Sequence, residues 1–355
     1  MEGAILKKIC VFTLYDEKGA SSQYRAFIFK DVIEQHFKTL WYPFWNNKYV
    51  TKYMYNKKKY VFNILCLYLV AILKRVYQLL FIAPKADVIF IQKAVIPKLP
   101  FLLFGRAKKQ NVRIIFDVDD AVWLSDYDNS DNIAKNSNVV ICGNETLFNH
   151  YVKFNKHCCI LPTVERTFLF EKYWKNTFED KVIGWIGSKT TVSNLKQIVR
   201  PINRIVEKYP IVKFHIISND ALDYTSRIKN SDLIKWNKDT YIQELAKFTV
   251  GIMPLIDNEF NQGKCGFKLV QCLSMKKPVV GSDIGVNAKI IGNNGFIVNN
   301  EDEWEAALEK LLFNKNIYDK CVQNIECEFI EKYHFRNISN KLIDIIDGNN
   351  MYEVK

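Results

Sequence analysis

The sequence lacks the spacings that build disulfide frameworks and zinc sites. Its nine cysteines are scattered, apart from the adjacent Cys158 and Cys159, and no C-x-x-C pair occurs. The five histidines show no metal-ligand spacing. We therefore expect free thiols in a reducing cytosol, no resident metal ion and no other cofactor.

Glycine and proline are also scarce, with 14 and 9 residues, which excludes collagen-like and linker repeats. No secretory signal peptide is recognised, because Lys7 and Lys8 lead directly into an apolar run that is typical of a short strand. Of the 355 residues, 48% are hydrophobic, so the chain can bury a large core, and its length suggests two domains.

Short apolar runs alternate with helical patterns, which predicts βαβ units and parallel sheets. The predicted strands are Ile9–Leu14, Val88–Gln92, Arg113–Asp117, Val139–Cys142, Cys159–Leu161, Val182–Ile186, Lys213–Ser218, Val250–Met253, Pro278–Gly281 and Gly295–Val298. The clearest predicted helices are Arg25–Phe37, Val192–Lys208, Tyr241–Ala246, Gly266–Met275 and Glu301–Phe313. A polar stretch at 173–180 favours a boundary, so we predict two doubly wound α/β domains, residues 1–177 and 178–336.

The segment 35–86 contains no Asp or Glu, although it carries nine basic residues and many aromatic ones. Its apolar part is long enough to span a bilayer, but Lys74 and Arg75 would each cost about 2.5–3.5 kcal/mol near the bilayer centre. On a helical wheel, Asn63, Lys74, Arg75 and Gln78 gather on one side. This pattern favours an amphipathic helix at an anionic membrane surface.

Two alternatives for the segment 35–86 stay open. The helix could pack into its domain and leave a solvated basic flank. A basic, aromatic surface could also bind nucleic acid, but the long aliphatic run and the lack of RNP, KH or zinc-finger patterns argue against that partner.

A glycine-serine turn follows the predicted strand Val182–Ile186. Backbone N–H groups at such a turn, where a helix begins, can hold a phosphate, which makes Gly187, Ser188 and Lys189 candidates for an anion site. The turn is neither G-x-G-x-x-G nor a P-loop, so an ordinary βα turn is the alternative.

Two lysines, four residues apart, stand at the start of the helix predicted over Gly266–Met275. Lys264 and Lys268 are poorly placed at a positively polarised helix N-terminus unless an anion binds there. Two lysines and unpaired N–H groups suit a diphosphate, and Gln271, one turn further, can bond a ribose or sugar hydroxyl. Two solvated lysines without a ligand are the alternative.

These segments resemble the GT-B glycosyltransferases of the large retaining family called group 1, or family 4. Residues 263–271, G-K-C-G-F-K-L-V-Q, stand at the family's E-x7-E motif, and residues 275–280 match its A-x-G-x-P-V-V continuation. Further similarity is found at 19–25, 88–92, 115–123, 251–255, 285–287, 290–291 and 294–298. The resemblance covers nearly the whole chain and is strongest over 180–300.

The sequence departs from that family at both glutamates of the motif, because Gly263 replaces the first and Gln271 the second. Gln271 can still bond a ribose hydroxyl, although it cannot act as a carboxylate. We interpret the G-K-C-G-F-K-L-x-Q segment as the mark of a sub-branch, and therefore as substitution rather than decay.

The resemblance implies two Rossmann-like domains that face each other across a cleft, and a C-terminal helix, within residues 337–355, that packs back on the first domain. A nucleotide-sugar would bind in the second domain, at Gly187, Ser188, Lys189, Trp236, Lys264, Gly266, Phe267, Lys268 and Gln271. Lys268 would also be catalytic, because it would stabilise the departing diphosphate. Trp236 would lie in the base-binding loop, and plain packing is its alternative role.

In the first domain, the resemblance implies a cleft or acceptor loop formed by Gly19, Ser21, Ser22, Tyr24 and Arg25. Asp119 and Asp120 would reach the cleft, where they could orient or deprotonate the acceptor hydroxyl; capping the next turn is the alternative. The D-x-D at residues 117–119 could suggest Mn²⁺ or Mg²⁺, as in another glycosyltransferase fold, but GT-B enzymes do not need that motif.

The predicted function is transfer of a sugar from a UDP- or GDP-linked donor to a lipid-linked or polysaccharide acceptor. The predicted setting is bacterial capsule, lipopolysaccharide or exopolysaccharide synthesis, with the protein cytoplasmic and peripheral on the inner face of the cytoplasmic membrane. Retaining transfer needs no obvious protein nucleophile, which agrees with the lack of a convincing carboxylate pair. A membrane-surface scaffold that lost catalysis and a sugar-nucleotide epimerase are the alternatives.

Overall fold

The computed structural model of the chain describes residues 6–100 and 102–349. Contacts divide it into two units: the first runs to Thr163 and includes the stretch from Ile338 onward, and the second is Val164–Asn337. The boundaries predicted from the sequence lie after residues 177 and 336. The contacts differ from this prediction in that they assign residues 164–177 to the second unit. All nine cysteines are free thiols.

The first unit contains a parallel sheet with the strand order β2-β1-β3-β4-β5-β6. Its strands are β1 (Lys8–Tyr15), β2 (Lys38–Trp45), β3 (Val88–Gln92), β4 (Arg113–Val118), β5 (Val139–Cys142) and β6 (Cys158–Ile160). Its helices include α1 (Ala20–Arg25), α2 (Lys30–His36), α3 (Val61–Tyr77), α4 (Gly105–Lys109), α5 (Ser130–Lys135) and α6 (Glu145–Tyr151). All five residues of β3 are buried, as expected for a parallel sheet covered on both faces.

The second unit contains a parallel sheet with the order β12-β11-β10-β7-β8-β9. Its strands are β7 (Val182–Ile186), β8 (Lys213–Ile217), β9 (Ser231–Ile234), β10 (Val250–Met253), β11 (Val279–Ser282) and β12 (Gly295–Val298). Its helices are α7 (Val199–Lys208), α8 (Leu222–Thr225), α9 (Tyr241–Leu245), α10 (Glu259–Gln262), α11 (Phe267–Ser274), α12 (Asn287–Ile291), α13 (Glu301–Phe313), α14 (Lys315–Asn324) and α15 (Ile330–Lys332). The predicted α/β class with doubly wound sheets is confirmed.

The core of the second unit lies between the sheet and its flanking helices. Helix α13 buries Trp304, Leu308 and Leu311 against Ile202 and Ile205 of α7. Each such side chain stabilises the fold by about 1.5–3 kcal/mol relative to an exposed one. The side chain of Asn300 caps α13 by accepting the N–H of Glu303, at 2.9 Å.

Helix α16 (Phe335–Asp347) begins in the second unit and belongs to the first from Ile338 onward. Arg113 of β4 donates to the Ile345 carbonyl at 3.4 Å, and Lys7 pairs with Asp347 at 3.1 Å. The predicted C-terminal segment continues to residue 355, and residues 350–355 lie outside the described part of the chain.

Two edge strands, β2 and β9, are missing from the predicted strands. In β2 the sequence K-T-L-W-Y-P-F-W carries Pro43, which usually argues against a strand but is tolerated at a sheet edge. Strand β9 has only four residues, S-D-L-I, of which none is fully buried. Both strands pair on one side only.

The segment 35–86 is not a single feature, because it supplies strand β2 before helix α3. In α3 the side chains grouped by the helical wheel separate: Arg75 is 1% exposed, whereas Asn63 and Lys74 are exposed. Besides Asn63 and Lys74, α3 exposes many large apolar side chains. They are Val61, Phe62, Leu65, Leu69, Val70, Leu73 and Tyr77.

Candidate functional site

The turn after β7 lies at the topological switch point of the second sheet. Counted within the unit, the strand order is 3-2-1-4-5-6, and ligands of such sheets bind beyond the carboxyl ends of the strands where the order reverses, here between β7 and β10. The N–H groups of Thr191 and Val192 donate to the Ser188 carbonyl at 2.9 and 3.1 Å. Ser188 and Lys189 are exposed.

The loop after β10 is fixed to the segment that follows the β7 turn. Gln197 donates to the Leu255 carbonyl at 2.7 Å, and Asn194 accepts the N–H of Ile256 at 2.9 Å. These bonds hold the two loops together at the carboxyl edge of the sheet.

Gly266 opens helix α11 in a left-handed conformation, with φ 64°. A Cβ at this position would lie 2.2 Å from Cδ1 of Ile290 in α12, so both the backbone angle and the packing require glycine. The adjacent lysines are partly exposed and lie on aromatic rings. Lys264 Nζ is 4.1 Å from the ring centroid of Phe260, and Lys268 Nζ is 5.8 Å from that of Trp185.

Trp185 of β7 connects two parts of the predicted donor site. Its indole contacts Gly187 so closely that a Cβ there would lie 2.4 Å from the ring, and the same indole lies beneath Lys268. The structure therefore brings the Gly187 turn and the start of α11 together. Ser188 and Lys189 continue this turn into solvent, and Phe267 is the first, partly exposed residue of α11.

Gln271 and Trp236 are linked through a carboxylate that sequence reasoning missed. Gln271 Nε2 donates to Glu165 Oε1 at 2.8 Å, and the Tyr241 hydroxyl lies 3.3 and 3.2 Å from the two Glu165 oxygens. The ring of Trp236 stacks on Tyr241, with centroids 6.1 Å apart. The surrounding sequence, L-P-T-V-E-R-T, gives no signal that could have suggested Glu165.

Glu165 is 2% exposed, and burial raises the pKa of its carboxyl to about 7. Hydrogen bonds from Gln271, Tyr241 and the N–H of Arg166 oppose the shift, as does the charge of Arg166. The group therefore titrates near neutral pH.

A second polar cluster lies in the first unit, beyond the ends of β1, β3 and β4. Ser21 Oγ lies 3.1 Å from both carboxylate oxygens of Asp119. Lys93 Nζ lies 2.5 Å from Asp120 and 3.6 Å from Asp119. This position is the switch point of the first sheet, because β1 separates β2 from β3 in the strand order.

Lys93 was not predicted, although it organises this cluster. Burial alone would lower the pKa of its ammonium, but the charges of Asp119 and Asp120 and a hydrogen bond to Asp120 raise it above its ordinary value. Lys93 also has a left-handed backbone, φ 73°, and its N–H donates to the Asp117 carbonyl at 2.9 Å. Such a conformation costs a non-glycine residue about 1–3 kcal/mol and is most common at functional sites.

The remaining residues of the predicted acceptor loop have different environments. Ser22 and Arg25 are 0% and 2% exposed, so they support the loop from the interior. Ser22 donates to Gln92 at 2.8 Å. Gly19 starts α1, where a Cβ would lie 2.3 Å from that of Tyr15, and Tyr24 is partly exposed.

The two aspartates of the D-x-D segment have separate partners. Arg25 pairs with Asp117 at 2.5 Å inside the unit, whereas Asp119 faces Ser21 and Lys93. Burial raises the pKa of Asp117 to about 6, although Arg25 opposes the shift. Over the described residues 6–100 and 102–349, no group of three or more His, Cys, Asp or Glu side chains is placed to hold a metal ion.

Comparison with solved structures identifies the class of fold. A glycosyltransferase from Rickettsia africae ESF-5 superimposes with a TM-score of 0.70 at 13% identity, over 97% of this chain and 100% of that one. HepE from Anabaena, solved with UDP, gives 0.66 at 12% identity, over 97% and 100%. The chain has the GT-B fold.

Residues 180–314, most of the second unit, match the family model described as glycosyl transferases group 1. The match lies within the second unit and does not extend to the first. TarM from S. aureus, solved with fondaparinux, alpha-GlcNAc-glycerol and UDP, has a TM-score of 0.60 at 17% identity over 77% of this chain; the match spans 58% of TarM. A comparison with curated proteins gives no match.

Proposed function

We propose that the chain is a glycosyltransferase that takes a sugar from a nucleotide-sugar, with UDP as the preferred carrier. The observation that carries the proposal is the start of α11, where Lys268 lies over Trp185, whose indole contacts the Gly187 turn. This contact lies at the switch point of the second sheet, within the matched region. The neighbours HepE and TarM were each solved with UDP, which favours uridine over guanosine.

In this proposal the donor diphosphate lies at the N-terminus of α11. The bond from the anomeric carbon to the phosphate oxygen breaks, and its electron pair leaves with the diphosphate. Lys264, Lys268 and the helix N–H groups stabilise that charge most strongly in the transition state, which is the condition for catalysis. We propose retention of the anomeric configuration, as the resemblance to family 4 implies.

The acceptor hydroxyl is assigned to the cluster of the first unit. Its oxygen forms the new bond to the anomeric carbon, and its proton passes to a carboxylate, Asp119 or Asp120. Ser21 and Lys93 contact these carboxylates and orient them.

The surface of α3 suggests that the acceptor is presented at a membrane. Phe62 and Leu73 are 75% and 71% exposed, and monomeric soluble proteins rarely expose a contiguous apolar face of this kind. The lysines around it, Lys52, Lys57, Lys58, Lys59, Lys74 and Lys85, are all exposed. Each of these lysines contributes about 1 kcal/mol to binding at an anionic leaflet. A protein held at the membrane would meet a lipid-linked glycan, so this acceptor, as in bacterial capsule or lipopolysaccharide synthesis, fits best.

Among the described residues, one helical stretch, Lys57–Lys85, is long and apolar enough to cross a membrane by length and composition. The contacts of Arg75 indicate instead that this helix lies on the membrane surface. Its guanidinium donates to the carbonyls of Val95 and Tyr42 at 2.7 and 2.8 Å and lies 4.7 Å from the ring centroid of Phe12. We therefore propose that α3 lies in the membrane interface with its inner side attached to the sheet.

Nucleotide binding tests the donor assignment. We expect UDP and UDP-sugars, but not CMP, to raise the melting temperature of the wild type, because a ligand at 100 times its Kd stabilises by about 2.7 kcal/mol. Thermal shift with UDP, GDP, CMP and their sugar conjugates measures this. A protein that none of them stabilises, but that binds lipid vesicles, would favour the scaffold alternative.

Membrane binding tests the role of α3. The double substitution Leu69→Glu with Leu73→Glu is expected to lower affinity for phosphatidylglycerol vesicles about a hundredfold or more. Each leucine that moves from water into the membrane interface contributes about 1.5–3 kcal/mol to binding. Vesicle co-sedimentation measures the loss. Leu222→Glu, at a leucine 70% exposed in the second unit, is the matched control. Equal binding by both variants would refute the membrane role.

A further inference from the structure

Glu165 is a buried acid for which the proposed reaction has no use so far. It is 2% exposed, and its partners are the amide of Gln271, the hydroxyl of Tyr241 and the N–H of Arg166. An interior carboxylate is costly to bury, so a glutamine would satisfy the same packing at lower cost. An acid at this position therefore indicates a role that a glutamine could not fill.

The carboxylate determines which end of the Gln271 amide faces it. A glutamine side chain has an accepting carbonyl and a donating NH₂ group, and either end can face a neutral partner. An ionised carboxylate only accepts, so the NH₂ of Gln271 must turn toward Glu165, at 2.8 Å. The carbonyl Oε1 is then the end left to accept a bond from a ligand.

The segments that carry this arrangement also include the stacked aromatic pair. The Tyr241 hydroxyl bonds to Glu165, and its ring stacks on Trp236, which follows β9. Gln271, the other partner of Glu165, lies in α11, one turn after Lys268. Glu165 thus joins α9, whose Tyr241 stacks on Trp236, to the helix that carries the proposed diphosphate site.

We propose that Glu165 is a positioning residue for the donor: it orients Gln271 so that the amide carbonyl accepts a hydrogen bond from a hydroxyl of the nucleotide-sugar. The inference rests on the proposed function, because it assumes that a nucleotide-sugar binds beside α11. Glu165 lies outside the G-K-C-G-F-K-L-V-Q segment. It nevertheless decides whether Gln271, the last residue of that segment, offers a hydrogen-bond acceptor or a donor to the ligand.

The dependence of UDP-glucose affinity on pH separates this role from a structural one. The diphosphate of UDP-glucose has no group that titrates near neutrality. Above pH 7 the ionised Glu165 holds the NH₂ of Gln271, whereas the protonated acid can donate to Oε1 and let the amide reverse. Arg166 and Tyr241 are the other titratable groups in contact with Glu165. We therefore expect the affinity of the wild type to rise about three- to tenfold from pH 6 to pH 8, the range of one hydrogen bond.

Glu165→Gln is the principal variant. We expect it to bind UDP-glucose about tenfold more weakly at pH 8, with no pH dependence, because a neutral amide accepts either end of Gln271. The fold should survive. The pKa of Glu165 is raised from 4.5 to about 7, so the folded state holds the proton more tightly than the unfolded state, and its ionisation destabilises the fold as pH rises through this window. The variant should therefore melt no lower than the wild type at pH 8.

The exchange Glu165→Gln with Gln271→Glu is the matched second variant. It keeps one carboxylate and one amide across the same contact, and it returns an acceptor oxygen to α11. We expect it to bind UDP-glucose within about threefold of the wild type, and more tightly than either single variant, as contacting residues couple.

Isothermal titration of the wild type, Glu165→Gln, Gln271→Glu and the exchange variant at pH 6, 7 and 8 decides the matter. Equal affinity and equal pH dependence in the wild type and Glu165→Gln would overturn the positioning role and leave the proposed function intact. A wild type that binds no nucleotide-sugar at any pH would overturn both.

Discussion

The variant Lys268→Ala is expected to lower kcat for sugar transfer by about 10²–10³-fold, because it removes a charge that stabilises the leaving diphosphate in the transition state. The loss of one such preorganised group typically costs about 2.7–4 kcal/mol. Lys268 is the lysine of choice because its ammonium lies over Trp185 in β7, next to the Gly187 turn, whereas Lys264 lies over Phe260 in α10.

The measurement is initial rate with saturating UDP-sugar, together with UDP affinity. Lys320→Ala is the control, since it removes the same charge from an exposed position on α14. If Lys268→Ala transferred sugar at the rate of the wild type, the diphosphate would have to lie elsewhere, and the assignment of α11 would be wrong. Reduced UDP affinity with unchanged kcat would limit Lys268 to ground-state binding.

Much of the fold could be predicted because interior parallel strands have a strong signature. Strands such as β3 and β7 are buried on both faces, so five consecutive apolar or neutral residues mark them clearly. Strand β9 escapes prediction because its four residues, S-D-L-I, include only two apolar ones and none is fully buried. Strand β2 escapes prediction because Pro43 interrupts it and because it lies in a segment without acidic residues, whose pattern favours a membrane surface.

The candidate site was predictable where function depends on backbone shape and on short spacings. Lys264 and Lys268 stand out in the sequence because two cations at a helix N-terminus are poorly placed unless an anion binds there, and that anion stays a prediction. Glu165 and Lys93 could not be found this way, since each acts on residues far along the chain: Gln271 is 106 positions from Glu165, and Asp120 is 27 positions from Lys93. Only the folding of separate βα units brings such partners together.

Arg25 illustrates the opposite error of reasoning from loop position alone. A basic residue after the first strand suggests a ligand contact, yet the structure buries its guanidinium against Asp117 and the Leu161 carbonyl. The bidentate geometry of arginine satisfies a carboxylate in the interior, where lysine would leave it underbonded. Sequence alone does not tell such an interior pair from an exposed one.

The substitution Asp119→Asn should have the second largest effect, lowering kcat for transfer by about 10²–10⁴-fold if this carboxylate accepts the acceptor's proton. Asp119 is preferred to Asp120 because of their partners. Asp120 is bound closely by Lys93, at 2.5 Å, whereas the same ammonium is 3.6 Å from Asp119, which Ser21 also orients. An amide keeps the shape of the side chain but cannot take a proton, so the rate should fall without loss of folding.

The matched variant Asp120→Asn distinguishes a base from a scaffold. It weakens the hold on Lys93 but leaves the carboxylate of Asp119 in place, so a loss of only about tenfold is expected if Asp120 merely positions its neighbours. UDP-glucose affinity should be unchanged in both variants, because the donor is assigned to the second unit.

If instead Asp120→Asn lost more activity than Asp119→Asn, the roles would be exchanged, with Lys93 modulating the base directly. If neither variant slowed transfer, the acceptor's proton would have to leave with the diphosphate itself, and the cluster at the ends of β1, β3 and β4 would serve only to shape the loop.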